Sequence, residues 1–212
     1  MTEGKVLPEN FRPDEHEKWV QEHYNKRLED YKNAEITQEQ LVELLISERE
    51  HLESQATTDS LTGALNKRGF TNELTTELET ISHLPGDHTG VLAFIDVDQL
   101  KPINDTHGHA AGDQLLKIFA NTIHEVIDKS LEVIYLRDPR VVTLFGRIGG
   151  DEFGLYLGGC DRKLAETIIH TARTHIQENV STTLPFIPQQ TISTGLTYVK
   201  KGDTVESSLE RA

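Results

Sequence analysis

Carboxylates gather at two points of this 212-residue chain where they can do chemistry. Asp96 closes the apolar run "VLAFID", and Asp98 follows two residues later. Strand alternation puts both on one face, where a sheet gives way to a loop. A buried strand ending in carboxylates is a common way to hold Mg2+, which takes a few rigid oxygen ligands and completes its shell with phosphate and water. Strands also end in Asp for solubility, so this pair alone leaves both readings open. The second point is "FGRIGGDEFGLYL", 145–157, where Gly149, Gly150, Asp151 and Glu152 stand between two apolar runs that read as strands. Glycines there supply the positive φ of a tight turn and let a nucleotide approach the backbone; a plain hairpin with Gly for geometry and acids for solubility is the other reading. If successive strands lie side by side, Asp96, Asp151 and Glu152 converge around one or two cations. Two cations held in this way suit nucleotidyl transfer, because they activate a ribose hydroxyl and neutralise a leaving pyrophosphate.

Between these points runs "DQLKPINDTHGHAAGDQLL". Lys101 is a point charge suited to phosphate, Asn104 an amide able to pair with a purine edge, and Asp113 a carboxylate able to accept both N–H groups of a guanine Watson–Crick face. His107 and His109 flank Gly108 and invite a metal reading, but no third soft ligand is near in sequence, which favours structural hydrogen bonds. Cys160 is the single cysteine. It excludes an internal disulfide and a cysteine-rich zinc cage, and reads as a core residue in a reducing compartment.

These residues need a sheet edge to bring them together, and the pattern from Thr58 onward provides one. "TDSLTGALNKRGFTNELTTELETI" reads as a turn and then a helix, "GVLAFIDV" as a strand, and "GDQLLKIFANTIHEVI" as a helix. "LEVIYL", "RVVTLFGRI" and "EFGLYL" read as strands, "RKLAETIIHTARTHIQEN" as a helix, and "QQTISTGLTYV" as a strand. That order predicts an α+β fold, a ferredoxin-like or palm-type sheet containing antiparallel strands, with helices on one side. Ahead of it, 12–35 has the Pro-Asp start of a helix, with Val20, Tyr24, Leu28 and Tyr31 on one face. "ITQEQLVELLISEREHLESQA" restarts with Thr37 and Gln40 in capping-box spacing and sets Leu41, Leu45 and Leu52 on a heptad-like seam beside Leu44, broken at Glu48. Two uses fit this segment: a short parallel coiled coil pairing two chains, or an amphipathic helix packing on its own domain. The division expected is an N-terminal helical region over 1–56, a dimerising stalk on the first of these uses, and an α+β domain over 57–212.

Composition narrows the partners. The net charge is −14, and residues 1–58 hold seven Lys and Arg against fourteen Asp and Glu, half of that excess. Such a surface argues against nonspecific binding to nucleic acid or to an anionic membrane. The longest apolar runs fall well short of the roughly 20 residues that span a bilayer, and "MTEGKVLPEN" lacks the regions of a signal peptide, so a cytoplasmic location is expected.

"DSLTGALNKRGF" (59–70), "IDVDQLKPINDTHGHAAGD" (95–113), "RIGGDEF" (147–153) and "TISTG" (191–195), in that order, resemble the GGDEF domain of diguanylate cyclases. The resemblance covers about residues 57–212. It implies condensation of two GTP into cyclic di-GMP with release of pyrophosphate, with Mg2+ or Mn2+ as cofactor. Carried over, Asp96, Asp151 and the Val97 carbonyl would bind the metal. Glu152 would help hold a second ion or assist removal of the 3′-hydroxyl proton. Asn104 and Asp113 match the guanine-reading pair, Lys101 a phosphate-facing lysine, and Gly149 and Gly150 would lie against the guanosine. Each domain resembles half an active site, so a homodimer joined through the N-terminal helices is implied. The alternative function is a noncatalytic module that binds GTP or cyclic di-GMP as a receptor. Three departures stand out. The inhibitory Arg-x-x-Asp site for product reads Arg140 and Thr143, without its carboxylate. The stretch from Leu115 to Ile148 is longer than the family usually needs and reads as an added hairpin turning at "RDPR". The sequence stops at "SSLERA", short of a lysine-containing segment, as a truncated catalytic domain would.

Overall fold

The computed structural model describes residues 25–26, 37–83, 89–135, 141–187 and 189–211. The chain divides into two compact units, Met1–Leu52 and Glu53–Ala212. Helix α1, Gln38–Thr57, opens with the reciprocal cap expected of its sequence. The Thr37 amide donates to Gln40 Oε1 at 3.0 Å, and the Gln40 amide donates to Thr37 Oγ1 at 3.3 Å; each end thus satisfies a backbone donor the helix leaves free. Leu41, Leu45 and Glu48 are half-buried, whereas Val42, Leu44 and Ile46 are largely exposed. The Leu52 side chain lies outside what is described, as does the helix expected over 12–35 apart from Asn25 and Lys26, which are helical.

The second unit is built on a five-stranded sheet of β1 Leu65–Asn66, β2 Thr89–Val97, β3 Thr143–Arg147, β4 Glu152–Gly158 and β5 Ile192–Lys200. The order across the sheet is β1-β3-β4-β2-β5; β1 runs parallel to β3 and every other pairing is antiparallel. Strands β2 to β5, with helices α4 His109–Tyr135 and α5 Arg162–Thr183 between them, form the interleaved βαββαβ plan expected. Alternation along β2 decides the two faces. Val91, Ala93, Ile95 and Val97 pack with Leu115, Phe119 and Ile123 of α4 and Ile168, Ala172 and Ile176 of α5. Leu92 points the other way, onto Phe70, Leu74, Leu78 and Ile81 of α2 Lys67–His83 and Val205 of α6 Val205–Leu209.

Helices therefore cover both faces, correcting the expectation of one covered side. The apolar stripe of α2 needs a surface of its own, and the second face of the sheet, carrying Leu92, Tyr156 and Val199, supplies it.

A second correction concerns "LEVIYL". Residues 131–135 continue α4 rather than forming a strand, so the hairpin expected to turn at "RDPR" does not form as read. The run was short and apolar, a pattern shared by strands and buried helix ends, and the helical spacing of Ile123, Val126 and Ile127 carries straight into it. Residues 136–140, Arg140 among them, lie outside the described residues. Helix α3, Leu100–His107, occupies a polar stretch whose apolar residues are too few to announce it.

Three rings lock the centre of the first face: Phe119 lies 4.5 Å from Phe153 and 6.2 Å from Phe145, which stacks on Phe153 at 5.5 Å. Phe119 is fully buried. Phe119→Ala is expected to cost about 3–5 kcal/mol, through lost burial and the cavity left behind, read as a lower urea midpoint in equilibrium unfolding.

Candidate active site

The sheet register brings the acidic residues together. Asp96 is the last-but-one residue of β2 and pairs with Glu152 on β4 and Ser193 on β5. The hairpin tip is stitched down by backbone bonds: the Ile148 and Gly149 amides donate to the Glu152 carbonyl at 2.8 and 3.2 Å, and the Val97 amide donates to the Asp151 carbonyl at 3.0 Å. Asp96, Asp151 and Glu152 thus share one end of the sheet although more than fifty residues of chain separate the first from the others.

Electrostatics records the crowding. Burial pushes the Asp96 carboxyl up from its ordinary value, and the charges of Asp151, Asp98 and Glu152 push it further in the same direction. Asp98 plays a different part from Asp96. Its carboxylate accepts from Thr191 Oγ1 at 2.6 Å and Ser193 Oγ at 2.8 Å, and its amide donates to the Thr191 carbonyl at 3.2 Å. Buried Gln190 completes the clamp. Its Nε2 donates to the carbonyls of Asp98 and Thr191 at 2.7 and 2.8 Å, while its backbone amide donates to Gln177 Oε1 on α5 at 2.9 Å. The Val97–Asp98 corner is therefore tied to the start of β5 and through Gln190 to α5.

The two tip glycines differ from expectation. Positive φ among the described glycines occurs at Gly63, Gly108, Gly159 and Gly202, not at Gly149 or Gly150, so the turn does not require them for left-handed backbone. Gly149 is needed for space instead: a Cβ there would run into the Glu152 carboxylate. At Gly150 an added Cβ meets nothing within 4 Å, which leaves that side of the tip open.

Arg147 was not singled out from sequence, yet it holds the tip. Its Nε and Nη2 donate to the Gly150 carbonyl at 3.1 and 2.7 Å, and its Nη1 donates to the Asp59 carboxylate at 3.3 and 3.4 Å. Asp59 also accepts from the Thr62 amide at 2.9 Å and Thr62 Oγ1 at 2.6 Å. Burial alone would push Asp59 up, but these bonds and the Arg147 charge hold its carboxyl below the ordinary value. Both residues lie inside motifs visible in the sequence; their pairing across 88 positions has no local signal.

The remaining candidates stand on α3 and α4. Lys101 is exposed on α3, Asn104 is half-buried, and Asp113 is exposed on the first turns of α4. The α3 N-cap, Gln99, takes the left-handed conformation at φ 64°, alone among the described non-glycine residues. His107 rests against the Phe186 ring, centroids 4.5 Å apart, a packing contact rather than a metal ligand. Cys160 is buried.

Among the described residues, no three His, Cys, Asp or Glu side chains stand close enough to hold a metal ion as they are. In kind the donors fit a hard divalent cation: they are oxygens, and repulsion among the carboxylates around Asp96 is what a cation relieves.

The family model for "Diguanylate cyclase, GGDEF domain" matches residues 56–212. The chain belongs to the GGDEF family. Among relatives, the probable diguanylate cyclase DgcE of Escherichia coli K12 is 38% identical over 117 residues, 55% of this chain and 9% of DgcE. The cyclic di-GMP phosphodiesterase PdeB of Shewanella oneidensis is 33% identical over 128 residues, 60% of this chain and 12% of PdeB. The chain thus spans a small part of the length of these relatives. The coiled coil and GGDEF domain of DgcB from Caulobacter crescentus, solved with c-di-GMP, superimposes with a TM-score of 0.66 at 26% identity, covering 89% of this chain and 90% of that one. The five-stranded sheet flanked by helices is that of the GGDEF fold.

Opposite pH signatures follow for the two aspartates. Asp59, held low, contributes stability present above the ordinary aspartate value and lost as pH falls through its folded value. Asp59→Asn is expected to cost about 1–3 kcal/mol at neutral pH, the deficit closing in acid. Asp96, held high, costs stability above its folded value and nothing below the ordinary one. Asp96→Asn is expected to gain stability at neutral pH, less than about 1 kcal/mol after solvent screening, the gain vanishing in acid. Thermal melts across pH read both signs.

Proposed function

We propose that this GGDEF domain is a diguanylate cyclase that condenses two GTP into cyclic di-GMP. The observation that carries the reading is the register that sets Asp96 opposite Glu152 while the Val97 amide holds the Asp151 carbonyl. It gathers oxygen donors at the one sheet end from which the α3 and α4 candidates also start.

In this reading Asn104 and Asp113 hold the guanine, whose N1–H and 2-amine are the donors a carboxylate accepts and adenine lacks. Lys101 faces phosphate, and the guanosine lies against Gly149 and Gly150, the latter open on its Cβ side. Asp96, the Val97 carbonyl and Asp151 would hold Mg2+ or Mn2+. When bound, the cation would lower the pKa of the 3′-hydroxyl and offset charge on the leaving pyrophosphate. Glu152 sits over Gly149, and in this reading it either takes the 3′-hydroxyl proton or holds a second ion. In each half-reaction an O3′–Pα bond forms, the Pα–O bond to pyrophosphate breaks, and the hydroxyl proton leaves to a base. Two rounds between two GTP yield one cyclic product and two pyrophosphates.

One domain holds one GTP, so each hydroxyl needs a second copy to present its α-phosphate. The homodimer we propose joins through the N-terminal helices, and Val42 and Ile46, both exposed and one turn apart on α1, support it. The intact acidic hairpin separates this reading from a noncatalytic receptor for GTP or cyclic di-GMP. We place the reaction in the cytoplasm. No described helix is long and apolar enough to cross a membrane.

Incubation with GTP and Mg2+ is expected to yield cyclic di-GMP and pyrophosphate; nucleotide binding without product would favour the receptor instead. Glu152→Gln is expected to lower turnover by at least about a hundredfold with the melting temperature nearly unchanged, since the tip lies outside the core. Activity surviving that change would remove Glu152 from the chemistry. Mg2+ is expected to raise the melting temperature of the wild-type chain, with the shift lost in Asp96→Asn.

A further inference from the structure

Helices α3 and α4 meet at Gly108, whose φ of 82° turns the chain within one residue. The Gly108 amide closes α3 on the Asn104 carbonyl at 2.9 Å, and the Ala111 amide opens α4 on the Gly108 carbonyl at 3.0 Å. This corner folds the first turn of α4 back over Asn104. Gly112 lies at the contact and is buried. A Cβ at 112 would fall on the Asn104 side-chain oxygen, 2.9 Å from its Cγ and 3.2 Å from Leu100 Cδ1. That oxygen is itself buried with no hydrogen-bond partner. A buried acceptor left unpaired costs stability, and a fold retains one where the group serves something else.

We infer that Gly112 is a specificity-determining position: its missing side chain is the seat that fixes the Asn104 amide beside Asp113, so that the two read one purine edge together. The inference rests on the guanine reading above and assigns it a further residue. Gly112 directly precedes Asp113 in the chain, so a group at 112 that displaces the amide separates the two readers. Leu100 Cδ1 borders the same contact, 3.2 Å from where that Cβ would stand. Glycine here serves close approach, not a left-handed backbone, since Gly112 is helical.

The test is equilibrium binding of 3′-deoxy-GTP and 3′-deoxy-ATP, which lack the attacking hydroxyl and cannot turn over, to the full chain and three variants. Gly112→Ala is expected to weaken 3′-deoxy-GTP about tenfold or more and to lower its preference over 3′-deoxy-ATP, because a site built on hydrogen bonds loses discrimination when one reader moves. A merely structural defect would weaken both nucleotides alike and keep their ratio. Asn104→Ala is expected to lower the ratio similarly. In Asn104→Ala/Gly112→Ala, where the new methyl has no amide to strike, the second change is expected to add less than about twofold. This double variant also keeps the test open if Gly112→Ala alone folds poorly. An unchanged ratio in Gly112→Ala, or the same loss with and without the amide, overturns the inference while leaving the guanine reading standing. No effect of Asn104→Ala removes the amide from guanine reading, and the inference with it.

Discussion

The antiparallel register of β2 between β4 and β5 is the constraint from which the rest of this domain follows. Sheet pairing has a period of two, so a slip of one residue would turn Asp96 away from Glu152 and Ser193 and send Ile95 from the core to the opposite face. The buried alternation of Val91, Ala93, Ile95 and Val97 opposes that slip, because a one-residue shift takes four apolar side chains out of the core they share with α4 and α5. The placement of the acidic residues and the packing of the core are thus set by the same hydrogen bonds.

Around that register the fold adds local braces at the places where a loop would otherwise wander. Asp98 and Gln190 tie the end of β2 to the start of β5 and to α5. Arg147 ties the hairpin tip to Asp59 at the entry of the domain. The bonds of Arg147 and of the Asp98 carboxylate are charge-assisted, a stronger kind than the turns themselves provide, and Gln190 adds neutral amide bonds to two carbonyls. They leave Asp96 and Glu152 free of such partners in kind, and the repulsion recorded at Asp96 is the physical counterpart of that freedom.

The glycines show how one residue type serves different ends. Gly149 gives room to the Glu152 carboxylate and Gly112 to the Asn104 amide, whereas Gly108 takes a backbone conformation that L residues avoid. In both crowded cases the side chain given room is one that the proposed chemistry uses. Packing, rather than turn geometry, is what these two positions demand.

Much of this was legible in residue types and order. The acidic strand end, the acidic hairpin, the capping box at Thr37 and Gln40 and the ferredoxin-like order follow from local patterns, because periodicity and caps act within a few residues along the chain. What only the tertiary structure decided is of longer range. The helical state of 131–135 is decided by α4 running on to Tyr135, and the second covered face depends on α2 finding Leu92, Tyr156 and Val199. The Arg147–Asp59 and Gln190–Asp98 bonds join residues about ninety positions apart, and the role of Gly149 depends on where the Glu152 carboxylate comes to rest. Sequence names which groups are present; their mutual distances arise only once burial of the apolar alternation has chosen a single register.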